Sequence, residues 1–438
     1  MPDDTLALDP DQEPQSLHEF IHEEERNPLE PRRKIIYIYD HPALPTETIG
    51  GKVVIDLEND TDYDRWTRPR IDMRAVPSAA ASASRPVVED LAAYVQAFYH
   101  GMEVRVAKDR FRLVPWKEPT RRKGAKTKVD QYIGLAAKSP TNHPDTVTRI
   151  RHRGADSAVP EGQINLNDIL DGLLEALPSD AYAAMLLMHH DLYEDDDDDF
   201  CCGRAYGGSR ICVFSTFRDN PILDQDNGIA MEHTWPNAHC RKYADDLWDC
   251  MNDDDGKKKT SAQRRFRPEQ MVKVPKLTAA NAGGLAVAEP LVAAVLSASA
   301  LIKSKGTFTA NDWSAIWLGR ACIIAVHELG HCFGLDHCVY YACVMQGTAS
   351  VAEDTQQPPY LCPVCQAKVA YALAVEPATK NDKRQAGRTV AGAADVERLG
   401  NAWTRAQYEA LERFCESRTN AVMFKGLKAW LQARKREM

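Results

Sequence analysis

The sequence predicts an α+β chain on three observations. Runs of strand length, either alternating or wholly apolar, recur at Met102–Val106, Phe111–Val114, Ala183–Met188 and Ser209–Phe217. Helix-period stretches separate and follow them, the most regular beginning at Thr309 and staying apolar from Trp313 to Val326. Directly after that helix, histidines and cysteines crowd into the segment from His327 to Cys365, the pattern of metal ligands rather than of scattered core residues. The 438 residues are 44% hydrophobic and 27% charged, enough for a large core and incompatible with wholesale disorder. With 54 Lys+Arg against 63 Asp+Glu the net charge is −9, which disfavours general nucleic-acid binding, because that needs a basic face to displace counterions.

From the N-terminus, residues 1–86 are rich in Pro, Asp and Glu and end in a Ser/Ala tract, so they read as a disordered, low-complexity leader. Leu91, Tyr94, Val95 and Phe98 recur at helical spacing, and Gly101 closes that helix before the first strands. The basic run Arg121–Lys128 reads as a solvated loop. Ile164–Leu177 predicts an amphipathic helix, Ala183–Met188 a strand buried in a sheet, and Asp191–Asp199 an acidic surface loop without the Gly and spaced ligands of a calcium loop. Residues 219–308 lack regular patterning and read as an insertion. Thr309 and Asp312 form a capping-box pair for the long helix. Cys365–Leu373 can form another helix, and residues 393–435 read as two C-terminal helices, so the expected organisation is a leader (1–86), a main domain (87–374) and a helical extension (375–438). The acidic N-terminus lacks a signal sequence, and the apolar stretch 285–302 is interrupted by Glu289 and Pro290. The expectation is a soluble, cytoplasmic monomer, with the nucleus as an additional compartment, and without a membrane or nucleic-acid partner.

The chemistry lies in His327-Glu-Leu-Gly-His-Cys-Phe-Gly-Leu-Asp-His-Cys338. His327 and His331, four apart on a helix, project from one face and can grip one ion. Glu328 is rotated by about 100° from His327, beside the ion rather than on it. Gly334 can take a positive φ, end the helix and turn the chain so that His337 returns as a third ligand. Three neutral nitrogens leave one tetrahedral position open, the arrangement of a catalytic zinc. The expected reaction is hydrolysis of a carbonyl substrate by a water that the zinc activates, with Glu328 as the base that takes its proton and returns it to the leaving amine.

Cys338, Cys343, Cys362 and Cys365 follow as two close pairs separated by a loop, a spacing that predicts a closed, structural four-thiolate zinc site. A redox Cys-x-x-Cys would need a βαβ context that is absent from the pattern, and a reducing compartment disfavours disulfides. Cys322 and Cys332 read as buried fillers, Cys201 and Cys202 as structural, and His233, His239, Cys240 and Cys250 fit no familiar zinc module.

Taken together, His327-Glu-x-x-His331-x-x-Gly334-x-x-His337-Cys338-x4-Cys343-x-Met345 with Cys362-x-x-Cys365 resembles the signature of the archaemetzincins, a branch of the metzincin clan. The resemblance extends upstream through Asp191–Tyr193 and Ile211–Arg218, covering roughly 88–374 outside the insertion. It implies a mixed twisted sheet packed on the active-site helix with a small four-cysteine zinc subdomain. It also implies two zinc ions on the residues named, Met345 in a Met-turn beneath the catalytic ion, and metallopeptidase action, aminopeptidase-like, on short peptides. The alternative is a catalytically weak or inactive interaction module that the zinc ions merely stabilise.

Overall fold

The computed structural model describes residues 13–43, 48–49, 52–53, 65–72, 74, 76–108, 110–116, 131–138, 145–154, 162–240, 289–381 and 393–438. The basic run 121–128, Cys250 and the start of the apolar stretch 285–302 lie outside them. Two five-stranded sheets form the framework. The first has the order β9 (Gly203–Tyr206), β10 (Ile211–Ser215), β7 (Ala181–Met188), β1 (Ile35–Tyr39), β2 (Glu103–Ala107), all parallel except the edge strand β9. The second runs β8 (Asp191–Tyr193), β6 (Gly162–Asn165), β5 (Thr146–Gly154), β4 (Gln131–Ala137), β3 (Phe111–Pro115), antiparallel except for β8 on β6. Both are mixed sheets, where the resemblance implied a single one.

β7 is buried at all eight positions, because both faces of the first sheet are covered. On one face lie α2 (Val88–Phe98) and the long α5 (Ala310–Cys332), with Leu91, Val95, Phe98, Ala325 and Leu329 packed against Ile36, Ile38, Met185 and Leu187. On the other face, Ala184, Leu186 and Val213 meet α3 (Leu166–Glu175) and the inner side of the second sheet. α3 starts where Asn165 accepts from the Asp168 amide, an N-cap that fixes the strand-to-helix turn. α5 starts with the expected Thr309–Asp312 capping box, and Lys305 pairs with Asp312 there. Downstream lie α6 (Pro363–Ala370), a π-turn at Tyr371–Val375, α7 (Glu376–Asn381), α8 (Ala393–Glu416) and α9 (Val422–Glu437).

Four expectations need correction. The leader is not disordered throughout: Ile35-Ile-Tyr-Ile-Tyr39 is the strand between β7 and β2, with Ile36 and Ile38 fully buried. A Pro- and acid-rich surrounding window hid a five-residue run that two parallel neighbours and helices on both faces can bury. Residues 13–27 are also ordered, around α1 (Leu17–His22) with its Ser16/Glu19 capping box. The tail of the insertion forms α4 (Pro290–Lys305), whose Ala294 and Ala298 are buried; small residues let it lie close against α9. The C-terminal helices form as expected, yet they are not an appendage, because Trp403, Leu411, Phe424 and Leu427 belong to the same core as α5. Lastly, Asp191 is not on the surface: it is the first residue of β8, fully buried, and Arg218 neutralises it at 2.7 and 2.9 Å. Among the described residues no helix is long and apolar enough to cross a membrane.

Candidate active site and cysteine centre

α5 carries His327, Glu328 and His331 in its last turns and is held at three points. Trp317 Nε1 donates to the Thr216 carbonyl at 2.8 Å, Arg320 grips Asp224 through two bonds of 2.6 and 2.9 Å, and Tyr99 donates to the Val326 carbonyl at 2.6 Å. Gly334 adopts φ +87°, which ends the helix as expected and turns the chain. His337 therefore comes back beside the other two rings, with centroids 5.3 Å from His327 and 5.0 Å from His331.

Which nitrogens face inward is fixed by the bonds on the far side of each ring. His327 Nδ1 lies 2.7 Å from the Val344 carbonyl, and His331 Nδ1 lies 2.7 Å from the Leu335 carbonyl. A carbonyl only accepts, so both Nδ1 atoms carry the proton and both Nε2 atoms present lone pairs. Those two acceptors sit 3.2 Å apart. Two lone pairs at that distance repel unless a cation lies between them, and a nitrogen of His337 completes a set within 4.8 Å. The donor set fits a divalent ion with nitrogen preference such as zinc. Burial drives all three imidazoles to the neutral form: His327 falls well below its usual value, His331 falls to about 4 with help from His337, and His337 is lowered although Asp336 opposes the shift.

Glu328 is 6% exposed and lies on the walls of two adjoining cavities, of about 550 and 330 Å³. Burial first, and then the negative charge of Asp354, push its carboxyl up to about 8, against the pull of Arg204. The larger cavity is bounded by the three histidines, by β9 through Gly203–Ala205, and by Glu23, Arg26 and Asn27 of the N-terminal segment. The smaller one reaches Asp354 and Gln357. Neither the N-terminal wall nor Asp354 was foreseeable: no spacing links either to the histidines, and only tertiary packing brings them there.

Met345 is fully buried under the end of α5, where a Cβ at Gly330 would lie 2.4 Å from its sulfur. Only glycine permits so close an approach. The Cys338 amide donates to the Met345 carbonyl at 2.7 Å, so the turn expected at Met345 is tied to the cysteines.

The four cysteines converge as well, buried and with their sulfurs within 4.8 Å of one another. Cys338 and Cys362 are 3.5 Å apart, far beyond a disulfide bond, and all four are free thiols. The Cys362 amide donates to Cys343 Sγ at 3.2 Å, and the Cys365 amide to Cys362 Sγ at 3.5 Å, because the Cys362-Pro-Val-Cys365 turn opens α6. Such N–H···S bonds favour thiolates, and hydrogen bonds from Cys343, Cys362 and Cys365 hold the Cys338 thiol far below its ordinary range. The set fits a tetrahedral zinc with no open position. Among the described residues these two clusters are the only groups of three or more ligand types that converge; His233, His239 and Cys240 do not. Cys322 and Cys332 are fully buried in the core, as expected.

The match to a known family falls on this same segment. Residues 293–371 match the family model described as peptidase family M54. Archaemetzincin-2 of Macaca fascicularis is 42% identical over 60 residues, 14% of this chain and 17% of that protein. Archaemetzincin-1 of Homo sapiens is 38% identical over 61 residues, 14% of this chain and 12% of that protein. The chain therefore spans only 12–17% of the length of these curated relatives. The crystal structure of archaemetzincin from Methanopyrus kandleri aligns over 79% of this chain and 98% of its own, at 16% identity and a TM-score of 0.32. The segment that matches the peptidase family M54 model holds all seven candidate ligands and Glu328, and the chain is similar to archaemetzincins over about 60 residues.

Proposed function

We propose that the chain is a zinc-dependent peptidase that cleaves short peptides, with His327, His331 and His337 as ligands of the catalytic ion and Cys338, Cys343, Cys362 and Cys365 as ligands of a structural one. The observation that carries this reading is the pair of Nε2 acceptors 3.2 Å apart beside a buried carboxylate, Glu328, at the meeting of two cavities. A zinc held there supplies Lewis-acid polarisation of the peptide carbonyl and acidifies the attacking water. The chain's own residues do the rest. Glu328 accepts a proton from that water on a carboxylate oxygen, and delivers it to the amine nitrogen as the C–N bond breaks. Its low exposure keeps bulk water from competing for that proton. The Val344 and Leu335 carbonyls hold the His327 and His331 rings so that their Nε2 lone pairs stay aimed inward. The edge strand β9, on the cavity wall, offers backbone groups to an extended peptide.

The resemblance to archaemetzincins supports aminopeptidase-like action. The deciding experiment measures zinc content and then turnover of a mixed peptide library, with free and acetylated N-termini, for wild type and Glu328→Gln. The variant should keep both ions and lose hydrolysis by about 10²–10⁴-fold, the usual contribution of a general base. Equal turnover by the two proteins would sink the peptidase, and equal cleavage of acetylated peptides would remove the aminopeptidase reading alone. Two retained ions without any turnover in wild type would favour an interaction module.

A further inference from the structure

We propose that residues 15–27 form a clamp that ties the cysteine-bearing scaffold to the turn carrying His337, with Arg26 and Gln15 as positioning residues for the third histidine. The proposal rests on reading the three histidines as a metal site. His327 and His331 are fixed by a long buried helix, whereas His337 stands at the end of a turn, 334–336, that has left that helix. Two side chains from the N-terminal segment seize that turn. Gln15 Nε2 donates to the Gly334 carbonyl at 3.0 Å, while Gln15 Oε1 accepts from the Asp336 amide at 3.4 Å and from Lys368 Nζ at 2.7 Å. Lys368 is 2% exposed and lies on α6, the helix that opens at Cys362 and Cys365.

Arg26 makes the second link. Its side chain is 5% exposed and forms two bonds, of 3.0 and 3.1 Å, with Glu376 at the start of α7. The guanidinium lies 5.0 Å from the Phe20 ring centroid, and Phe20 is fully buried, so α1 holds it from the other side. Its aliphatic stem covers Gly334 so closely that a Cβ there would lie 2.9 Å from Arg26 Cγ. The next residue, Asn27, donates to the Gly207 carbonyl at 2.8 Å and accepts from the Tyr182 hydroxyl at 3.1 Å, which anchors the segment on the opposite wall of the larger cavity. Gln15 and Arg26 therefore act on the backbone of the turn itself, one by hydrogen bonds and one by contact, and each leads back to the helices after the cysteine centre. Partners of this outer kind orient metal ligands, and their loss costs about 10–100-fold in metal affinity.

The test uses the full-length protein loaded with cobalt in place of zinc. Thiolate-to-cobalt charge-transfer bands report the cysteine centre, and the weaker visible ligand-field bands report the histidine centre. Affinity at each centre is read by chelator competition, for wild type, Arg26→Ala, Arg26→Lys and Gln15→Ala. Expected are a drop of about 10–100-fold at the histidine centre in Arg26→Ala, a smaller drop in Gln15→Ala, and partial recovery in Arg26→Lys, with the cysteine-centre bands unchanged. Histidine-centre affinity within twofold of wild type in both Gln15→Ala and Arg26→Lys overturns the proposal, even if Arg26→Ala fails to fold. So does parallel weakening of both centres, which would mark a merely structural role. Hydrolysis is not part of the readout: a protein that binds both ions and cleaves nothing sinks the peptidase and leaves the clamp standing. A wild type that takes no cobalt at the histidines overturns both.

Discussion

Among the described residues two clusters of three histidines occur, and only one of them brings its ligand atoms together. His327, His331 and His337 have ring centroids 4.9 to 5.3 Å apart. His41 lies at nearly the same distances from His189 and His190, 4.6 and 5.1 Å, at the ends of β1 and β7. In the first cluster backbone carbonyls occupy the outer nitrogens, so lone pairs point inward. In the second, two ring nitrogens have other partners: His41 Nδ1 accepts from the His189 amide at 3.1 Å, and His189 Nδ1 pairs with Thr216 Oγ1 at 2.9 Å. Its ligand atoms do not converge. Ring proximity is thus a poor sign of a metal site, and the partner on the far nitrogen is a good one.

The largest expected effect lies in the closed cysteine site beside the first cluster. Binding of a structural zinc is worth about 10–16 kcal/mol in small folding units, so Cys362→Ser should give poorly soluble, early-melting protein that binds about one zinc per chain rather than two. Normal melting with two ions bound would refute the closed site. Next comes the contrast between the histidine clusters. His331→Ala should lose the catalytic ion, and with it peptide turnover, by more than the 10–100-fold typical of outer partners. His189→Ala should keep both ions and turnover and cost only about 1–3 kcal/mol in denaturant unfolding, the range for a buried polar partner removed. Metal loss in His189→Ala would erase the distinction between the clusters.

The two clusters also differ in acid. Burial pushes His189 down to about 3, with Arg85 and His190 adding to it, and lowers His41 well below its usual value. Groups with lowered folded-state values leave the unfolded chain binding more protons, so the stability they contribute is complete above about 6.5 and declines as pH falls from there toward 3. The slope is about 1.4 kcal/mol per pH unit for each such histidine. In His189→Gln the acid dependence of unfolding should therefore flatten over that range at fixed metal loading, and an unchanged slope would contradict the neutral, buried assignment. The smallest effect is expected at Gly330→Ala. Alanine favours the helix by about 1 kcal/mol, but the clash with Met345 should cost about 1–3 kcal/mol, so a net loss near 1 kcal/mol is the outcome to check by thermal melting. A gain in stability would show that Met345 can move away from the helix.

How much of this was legible in the sequence depended on separation along the chain. The histidines, Glu328 and Gly334 lie within eleven residues, so helical geometry alone relates them, and the cysteine pairs are each local. The capping box at Thr309 and the buried strand β7 were equally visible, because each depends on neighbours a few positions apart. β1 was missed although its five residues are apolar, since its role as an interior strand depends on pairing with β2 and β7 at positions 103–107 and 181–186. Arg26 likewise carries no local signal: its partner Glu376 lies 350 residues away.

The sequence by itself determined the metal chemistry expected of this protein: the ligand types, their spacing, the general base and the split between an open nitrogen set and a closed thiolate set. Helical periodicity and tight turns fix such relations within a dozen residues, whatever the rest of the chain does. Only the tertiary structure decided which histidines turn lone pairs toward a common point, that an N-terminal segment walls the cavity, and that Arg26, paired with distant Glu376, packs on the turn at Gly334. Those outcomes depend on which backbone carbonyls and side chains meet after folding, and contacts between remote positions leave no periodic trace in a single sequence.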